Sequence, residues 1–492
     1  MLYLRPRLIQ SPTIIGILLT LTITTFTAGL LLWYTMNSDR SYIHPLLTQL
    51  IPAGHATCES ATIFECSSCL SCPTKISLSP SHPTWEFDYA RDGHNAGLSR
   101  EQCTAAFPGL FEDISRATAY WRDRENDIET LDLDTIPLNP GMARARIANG
   151  ELYVLATNSR TEDHRRKILA ALSSMHRALV TAPPQSNSQP ESGSEIDITF
   201  LFSISDKLPD ITTHPSHTTS PLWTLSRKTS EQAVWLMPDF GFWSWDHAHT
   251  EIGPFDAVVA DAMEYDRIPW GKKIPKLVWR GKPSFAPKLR RALLDSTQGK
   301  GWADVRGVDW HGDGSDNGEG NVNVNGNVLG LGEHCRYMFI AHVEGRSYSA
   351  SLKYRQSCNS VLITHELQYI QHHHYLLISS GPEQNHVQVS RDFSDLEPMV
   401  LALLADPAEA QRIAENSVRT FRERYLTRAA EACYWRSLWE AYSKAFNESW
   451  SVTGSGGDRK VKGMRYESFV LQPSGRMMGF DAGDPLVRMG MD

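Results

Sequence analysis

Three groups of residues have the types and spacing to do chemistry on a polar substrate. Asp206 closes an alternating apolar run, in Ser205-Asp206-Lys207. A carboxylate so placed can act as a general base and take the proton of an attacking hydroxyl. The same pattern also serves as a turn or helix-capping aspartate, which is its commoner use. Arg280 and Gly281 form the second group, with Arg290 one turn into the helical element that follows. The planar fork of arginine makes paired, charge-assisted bonds to phosphate oxygens and stabilises the charge on a departing diphosphate. On an open surface the same residues would simply be solvated. The third group is Glu344-Gly345-Arg346-Ser347-Tyr348-Ser349-Ala350-Ser351-Leu352-Lys353. Glycine and small hydroxyls at a helix start turn backbone N–H groups towards an anion, although the run fits neither Walker A nor GxGxxG. His372-His373-His374 has metal-ligand chemistry. Adjacent residues seldom converge on one ion, so solvated imidazoles on a strand or turn are expected there.

Periodicity predicts the elements that must position these groups. Ile196, Ile198, Phe200, Phe202 and Ile204 alternate with the period of a strand that runs into Asp206. Lys276-Leu277-Val278-Trp279 predicts a second strand ending at Arg280-Gly281, and Pro287 through Leu294 a helix with proline at its start. Arg336 to Val343 reads as a third strand, leading through Glu344-Gly345 and a Ser-rich turn into a short helix, and Ser360 to Thr364 as a fourth. Strands alternating with helices imply an α/β fold with a mostly parallel sheet. In such sheets ligands collect at the carboxyl ends of the strands, where all three groups fall. Ser99 to Arg122 predicts helix interrupted at Pro108, and residues 395–446 consecutive amphipathic helices. Residues 182–194 read as a polar loop, and Gly312 to Gly332 as a floppy Gly/Asn-rich insertion whose acidic residues lack calcium-loop spacing.

Bulk properties bound the function. A chain of 492 residues exceeds one compact core, so two domains with accessories are expected. A net charge of −8 leaves no basic surplus to neutralise phosphates, which excludes a nucleic-acid partner. Fourteen Trp and sixteen Tyr supply rings of the kind that floor sugar sites, with core packing as their commoner use. From Thr13 to Tyr34 the chain is uncharged and apolar for long enough to span a bilayer, and it ends in the interfacial pair Trp33-Tyr34. Arg5 and Arg7 before it favour a cytoplasmic N-terminus and a lumenal remainder, as a single-pass type II anchor in preference to a cleaved signal peptide, whose apolar centre would be shorter. Cys58, Cys66, Cys69 and Cys72 cluster after the anchor, while Cys103, Cys335, Cys358 and Cys433 are spread along the body. Zinc could use the CxxC spacings, but an oxidising lumen favours disulfides. Asn447-Glu448-Ser449 is an N-glycosylation sequon.

The ordered set of segments is more specific than any one of them. Pro269-Trp270-Gly271-Lys272, Val278-Trp279-Arg280-Gly281, Cys335-Arg336-Tyr337, Val343-Glu344-Gly345, Ser347-Tyr348-Ser349, Leu352-Lys353-Tyr354 and Ser360-Val361-Leu362 follow one another. His374-Tyr375, Asp395-Leu396 and Cys433-Tyr434-Trp435 continue the order. Together they resemble the capsule-associated/KTEL-type, protein O-glucosyltransferase-like glycosyltransferases of family 90. Asp88 to Asn95 and Phe107-Pro108-Gly109-Leu110-Phe111 resemble its fungal membrane-bound branch. The resemblance spans roughly residues 85–446. It implies a GT-B fold, with two Rossmann-like domains facing a cleft. It also implies inverting transfer of glucose or xylose from a UDP-sugar to a glycan or glycoprotein hydroxyl, with no cofactor and no required metal. On this reading Asp206 is the catalytic base. Arg290, with Lys288 as the alternative, holds the donor together with Arg280, Gly281, Gly345, Ser347, Ser349 and Lys353. Cys335 and Cys358 form a disulfide, and Cys433 ties the C-terminal helices to the N-terminal cysteine region. The expected organisation is a cytoplasmic tail (1–12), a transmembrane anchor through the lipid bilayer (13–34) and a Cys/Ser/Pro-rich stem (35–84). An acceptor-side domain (85–265), a nucleotide-sugar domain with C-terminal helices (266–450) and a flexible tail (451–492) follow. The expected location is the Golgi or endoplasmic reticulum membrane, with the catalytic part lumenal. One departure stands out: many relatives carry arginine where this chain has Ser351. Losing that cation would weaken diphosphate binding by about 1.5 to 3 kcal/mol unless Arg346 or Lys353 substitutes. Without a substitute, the chain would be a weak or inactive member that binds carbohydrate or protein.

Overall fold

A computed structural model describes residues 85–472 apart from 124–132, 134–135, 184–195, 209–220, 247–250, 309–327 and 447–462. The expected tail 1–12, anchor 13–34 and stem 35–84 with its four cysteines lie outside the described residues, as does Asn447. Among the described residues no helix is long and apolar enough to cross a membrane.

Local signals set most element ends. Ser99 caps α1 (Arg100–Ala106) through a capping box with Gln102, and Pro108 separates it from α2 (Glu112–Arg122). β1 (Met142–Ala148) and β2 (Glu151–Thr157) form a hairpin joined by Asn149-Gly150. Both residues have positive φ, 53° and 70°, which suits a tight turn matched to the strand twist. Helix α3 (Glu162–Val180) follows, capped by Thr161, and the alternating run then gives β3 (Ile198–Ser203). Short strands β4 (Trp223–Thr224) and β5 (Trp235–Leu236) precede helix α4 (Phe255–Tyr265).

The next elements alternate as the sequence predicts. They are β6 (Ile274–Gly281), α5 (Pro287–Thr297, with proline in its first turn), β7 (Ala303–Gly307), β8 (Tyr337–His342), α6 (Leu352–Arg355), β9 (Val361–His365) and β10 (Val387–Val389). Every residue of β9 is buried, as in a parallel strand covered on both faces. The C-terminal helices are α7 (Leu396–Ala405), α8 (Pro407–Ser417) and α9 (Arg428–Phe446), with an unexpected π-helical stretch, Val418–Tyr425, before the last. Met464–Arg465 adds strand β11 and Tyr466–Val470 a short helix α10.

Two sheets result. The second has the order β7-β6-β8-β9-β10 and is parallel throughout. In chain order that is 2-1-3-4-5, a doubly wound arrangement whose connections diverge between β6 and β8. The first has the order β11-β2-β1-β3-β4-β5. Its β3/β4 and β4/β5 pairs are parallel, whereas β1 runs antiparallel to both β2 and β3. The expectation of mostly parallel strands therefore holds for the second sheet and is corrected for the first. A two-residue hairpin can join only antiparallel strands.

The larger core lies between the first sheet and helices α2, α3 and α9, and holds Trp121, Trp223, Trp235, Trp435 and Trp439. These indoles are fully buried, so core packing accounts for them. Helix α9 is held there by a Cys103–Cys433 disulfide, by Glu431 against Arg177 at 2.5 Å and by Trp435 Nε1 donating to Ser174 Oγ at 2.7 Å. The anticipated Cys335–Cys358 disulfide is present and joins the residues before β8 to those before β9. Cores on both faces of the second sheet pack α5, α7 and α8 on one side and α4 on the other. The expectation that everything after 451 is loosely held is corrected for residues 463–472. Strand β11 pairs with β2, and Tyr466 and Phe469 are buried in the larger core.

Candidate functional site

The parallel sheet places its ligand crevice where the connections diverge, outside the carboxyl ends of β6 and β8. Arg290 points there from the first turn of α5. Its side chain is buried while Lys288 and Arg291 are exposed, which settles which of the three faces inward. Nε donates to the Glu344 carbonyl at 3.0 Å, and Nη1 to the Lys282 carbonyl at 2.8 Å. Nη2 lies 3.4 Å from the Val343 carbonyl. The Trp279 and Phe285 rings lie 5.6 and 5.8 Å from the guanidinium. Among the described residues no carboxylate pairs with it, and burial alone lowers its pKa to about 10. A dry cation held only by carbonyl dipoles is electrostatically incomplete.

Asp206 approaches from the other sheet, three residues beyond β3. Its side chain is open to solvent. Yet the surrounding protein strips enough water from the carboxyl to raise its pKa, against the pull of Lys167 and Arg346 and with support from Asp239 and Asp163. Both observations hold for a group on a concave wall. The Ser347 hydroxyl donates to the Asp206 backbone carbonyl, fixing the loop after β3 against the loop after β8. Arg346 links the two charged centres. It is near enough to act on Asp206, and its guanidinium stands 5.1 Å from the Phe285 ring that also flanks Arg290.

Other expected donor residues are engaged elsewhere. The Arg280 guanidinium lies against Asp304 at 3.0 and 3.1 Å and also donates to the Asp304 and Trp279 carbonyls. It braces the edge strand β7. Lys353 is engaged as well. It is buried, and its ammonium meets both Asp239 oxygens, at 2.8 and 2.9 Å, and the Ala350 carbonyl. Asp239 also accepts from Gly241 N–H at 2.7 Å, so the pair clamps α6 to the segment after β5. Ser347 gives its hydroxyl to the Asp206 backbone, and Ser349 pairs with Ser351 at 2.9 Å. Gly281 and Gly345 keep a steric role. A Cβ on Gly281 would lie 2.5 Å from the Trp279 ring, and one on Gly345 3.4 Å from Arg290 Nη2.

Glu344 is buried and its pKa is raised by desolvation, against the hydrogen bonds it receives from Tyr369, Arg391 and Gln368. Of the three histidines expected to be solvated, His372 and His373 are buried and His374 is half-buried. His372 is buried against Phe242 and Tyr434, and His373 against Phe421 with Nε2 3.2 Å from the Gln356 amide oxygen. Burial lowers the His372 and His374 pKa values to about 3 and about 4, so both rings are neutral. Among the described residues no cluster of His, Cys, Asp and Glu has the geometry of a metal site. An open depression bordered by Thr297, Gln298, Lys300 and Arg306 lies along the edge strand and includes neither Asp206 nor Arg290.

Sequence reasoning missed Asp239, which neutralises Lys353, and Arg355, buried at the end of α6 beside His342. Nothing in its polar surroundings, Lys353-Tyr354-Arg355-Gln356-Ser357, marks Arg355 as buried.

No curated protein matches this chain. The family model for glycosyl transferase family 90 matches residues 191–462, more than half of the chain. That span contains Asp206, Arg290, the loop 343–351 and the whole parallel sheet. The sequence order of these segments, the α/β architecture and the family match agree, and the chain belongs to glycosyl transferase family 90 and is thereby a glycosyltransferase, acting between a sugar donor and a glycan or protein acceptor.

Proposed function

We propose that this protein is an inverting, UDP-sugar-dependent glycosyltransferase, with the two sheets as the halves of a GT-B arrangement and the donor bound between them. The observation that carries this reading is Arg290, a buried guanidinium without a carboxylate partner among the described residues, held on the Val343 and Glu344 carbonyls just beyond a strand of the parallel sheet. A diphosphate there would replace the missing counter-charge. Asp206 takes the proton from the acceptor hydroxyl as its oxygen attacks the anomeric carbon from the face opposite the nucleotide. The bond from that carbon to the β-phosphate oxygen breaks, and its electron pair leaves with UDP. Arg290 stabilises the charge that develops on the leaving group. The raised pKa of Asp206 suits this role, since a base poised closer to neutral pH accepts a proton more readily. Glucose or xylose is the proposed sugar. The site is proposed to work without a required metal, in the lumen of the Golgi or endoplasmic reticulum, anchored through residues 13–34.

The test uses the purified full-length chain in detergent with radiolabelled UDP-glucose and UDP-xylose and a panel of glycan and glycoprotein acceptors. Product of inverted anomeric configuration is expected, unaffected by a chelator. An Asp206→Asn variant that transfers as fast as wild type would refute the mechanism. A second reading, a weak or non-catalytic member that only binds, is favoured by Ser351 and by the engagement of Lys353 with Asp239. Under that reading UDP release stays at background with every donor and acceptor.

A further inference from the structure

Arg355 ends the short helix α6 and is 7 % exposed. Its Nη1 lies 3.3 Å from Nδ1 of His342, at the carboxyl end of β8. That imidazole is fully dry and stays neutral, so it accepts a hydrogen bond without balancing the charge. No carboxylate pairs with Arg355 among the described residues. The charge that acts on it is another cation, Arg290, and burial together with that repulsion lowers its pKa to about 9. Both buried guanidinium groups thus sit where β8 ends, Arg290 on the Val343 and Glu344 carbonyls and Arg355 on His342. A single buried unpaired charge is already costly, and two of the same sign add mutual repulsion. An anion of more than one charge relieves both at once.

Helix geometry connects Arg355 to the departure at Ser351. The Arg355 N–H donates to the Ser351 carbonyl at 3.2 Å, the i to i−4 bond of one helical turn. Residues at that spacing share a face, and side chains lean towards the helix N-terminus. An arginine at 355 therefore reaches back over the space that a side chain at 351 would occupy. Ser351 is short, and its hydroxyl is paired with Ser349, so it leaves that space open.

We infer that Arg355 supplies the second cation of the donor diphosphate site, standing in from one turn along the helix for the arginine missing at position 351. Neither Lys353, held by Asp239, nor Arg346, exposed and placed beside Asp206, has this combination of burial and missing counter-charge. The inference rests on the reading of the crevice as a nucleoside-diphosphate site. It adds that this chain keeps two diphosphate cations.

The experiment is calorimetric titration of the full-length protein with UDP and with uridine, for wild type, Arg355→Met, and Arg355→Met combined with Ser351→Arg. Arg355→Met is expected to weaken UDP binding roughly 10- to 100-fold, the scale of one charge-assisted contact. Uridine binding should stay within about threefold, because uridine lacks the phosphates on which the arginine acts. Adding Ser351→Arg should recover most of that loss, bringing UDP affinity back to within about threefold of wild type. A residue that merely supported the fold would weaken both ligands together and would not be rescued from position 351. If wild type binds UDP and Arg355→Met binds it equally well, the assignment of Arg355 is wrong while the diphosphate site stands. If wild type binds no UDP, the assignment and the reading beneath it both fall.

Discussion

Replacing Arg290 with methionine keeps much of the side-chain length and removes the charge. In the unliganded protein two effects oppose each other. Burial lowers the Arg290 pKa from 12.5 to about 10, and at about 1.36 kcal/mol for each factor of ten the folded chain bears a strain of about 3 kcal/mol to keep this cation dry. Methionine relieves that strain. It also removes the donors that reach the Glu344, Lys282 and Val343 carbonyls. Bonds from a charged donor contribute about 1.5 to 3 kcal/mol each, and the one at 3.4 Å contributes least. The net change in stability is expected to be small, within about 2 kcal/mol of wild type. Donor binding has no such cancellation. The phosphate oxygens lose their fork and face a thioether, so UDP affinity should fall by about 1.5 to 3 kcal/mol, roughly 10- to 150-fold. Arg290→Lys should fall between the two, since it keeps the charge but not the paired geometry. Calorimetric UDP titration and urea denaturation of the same preparations read the two quantities separately. The reasoning is refuted if Arg290→Met binds UDP within threefold of wild type, or if it unfolds several kcal/mol more easily.

Other outcomes follow from the same geometry. Asp206→Asn should lower transfer by about 10² to 10⁴, the range of a lost general base, as measured by release of free UDP with a working acceptor. The raised Asp206 pKa means that the folded chain holds this proton more tightly than the unfolded one. Its contribution to stability is therefore present at low pH and is lost as pH rises through the folded pKa. Asp206→Asn should accordingly melt no lower than wild type at pH 7, and kcat/KM of wild type should show an acid limb centred above 3.8. Lys353→Met or Asp239→Asn alone leaves a buried partner uncompensated and should cost about 3 to 5 kcal/mol in a denaturant melt. The double variant should recover part of that loss, and fully additive losses would contradict the pairing. Cys433→Ser opens the link from α1 to α9 and should cost about 2 to 5 kcal/mol, seen as a lower melting temperature under oxidising conditions.

By itself the sequence determined the periodic elements and their punctuation. The alternating run before Asp206, the Val278-Trp279-Arg280-Gly281 strand end, Pro287 at a helix start and the Ser99 cap all act through neighbours a few residues apart, and each lies where the periodicity places it. Such signals depend on backbone sterics and local hydrogen bonds, which a short segment carries with it. Tertiary structure decided which charges are free. Arg280 and Arg290 look alike in sequence, but a carboxylate 24 residues further along engages the first, while the second meets only carbonyls. Lys353 meets a carboxylate 114 residues before it, and Tyr466 returns from beyond position 451 to the first core. Arg355 became visible as a candidate only once its burial and its neighbour Arg290 were known. A charge acts through its distance to every other charge and through the water it loses, and both quantities exist only after the chain has folded.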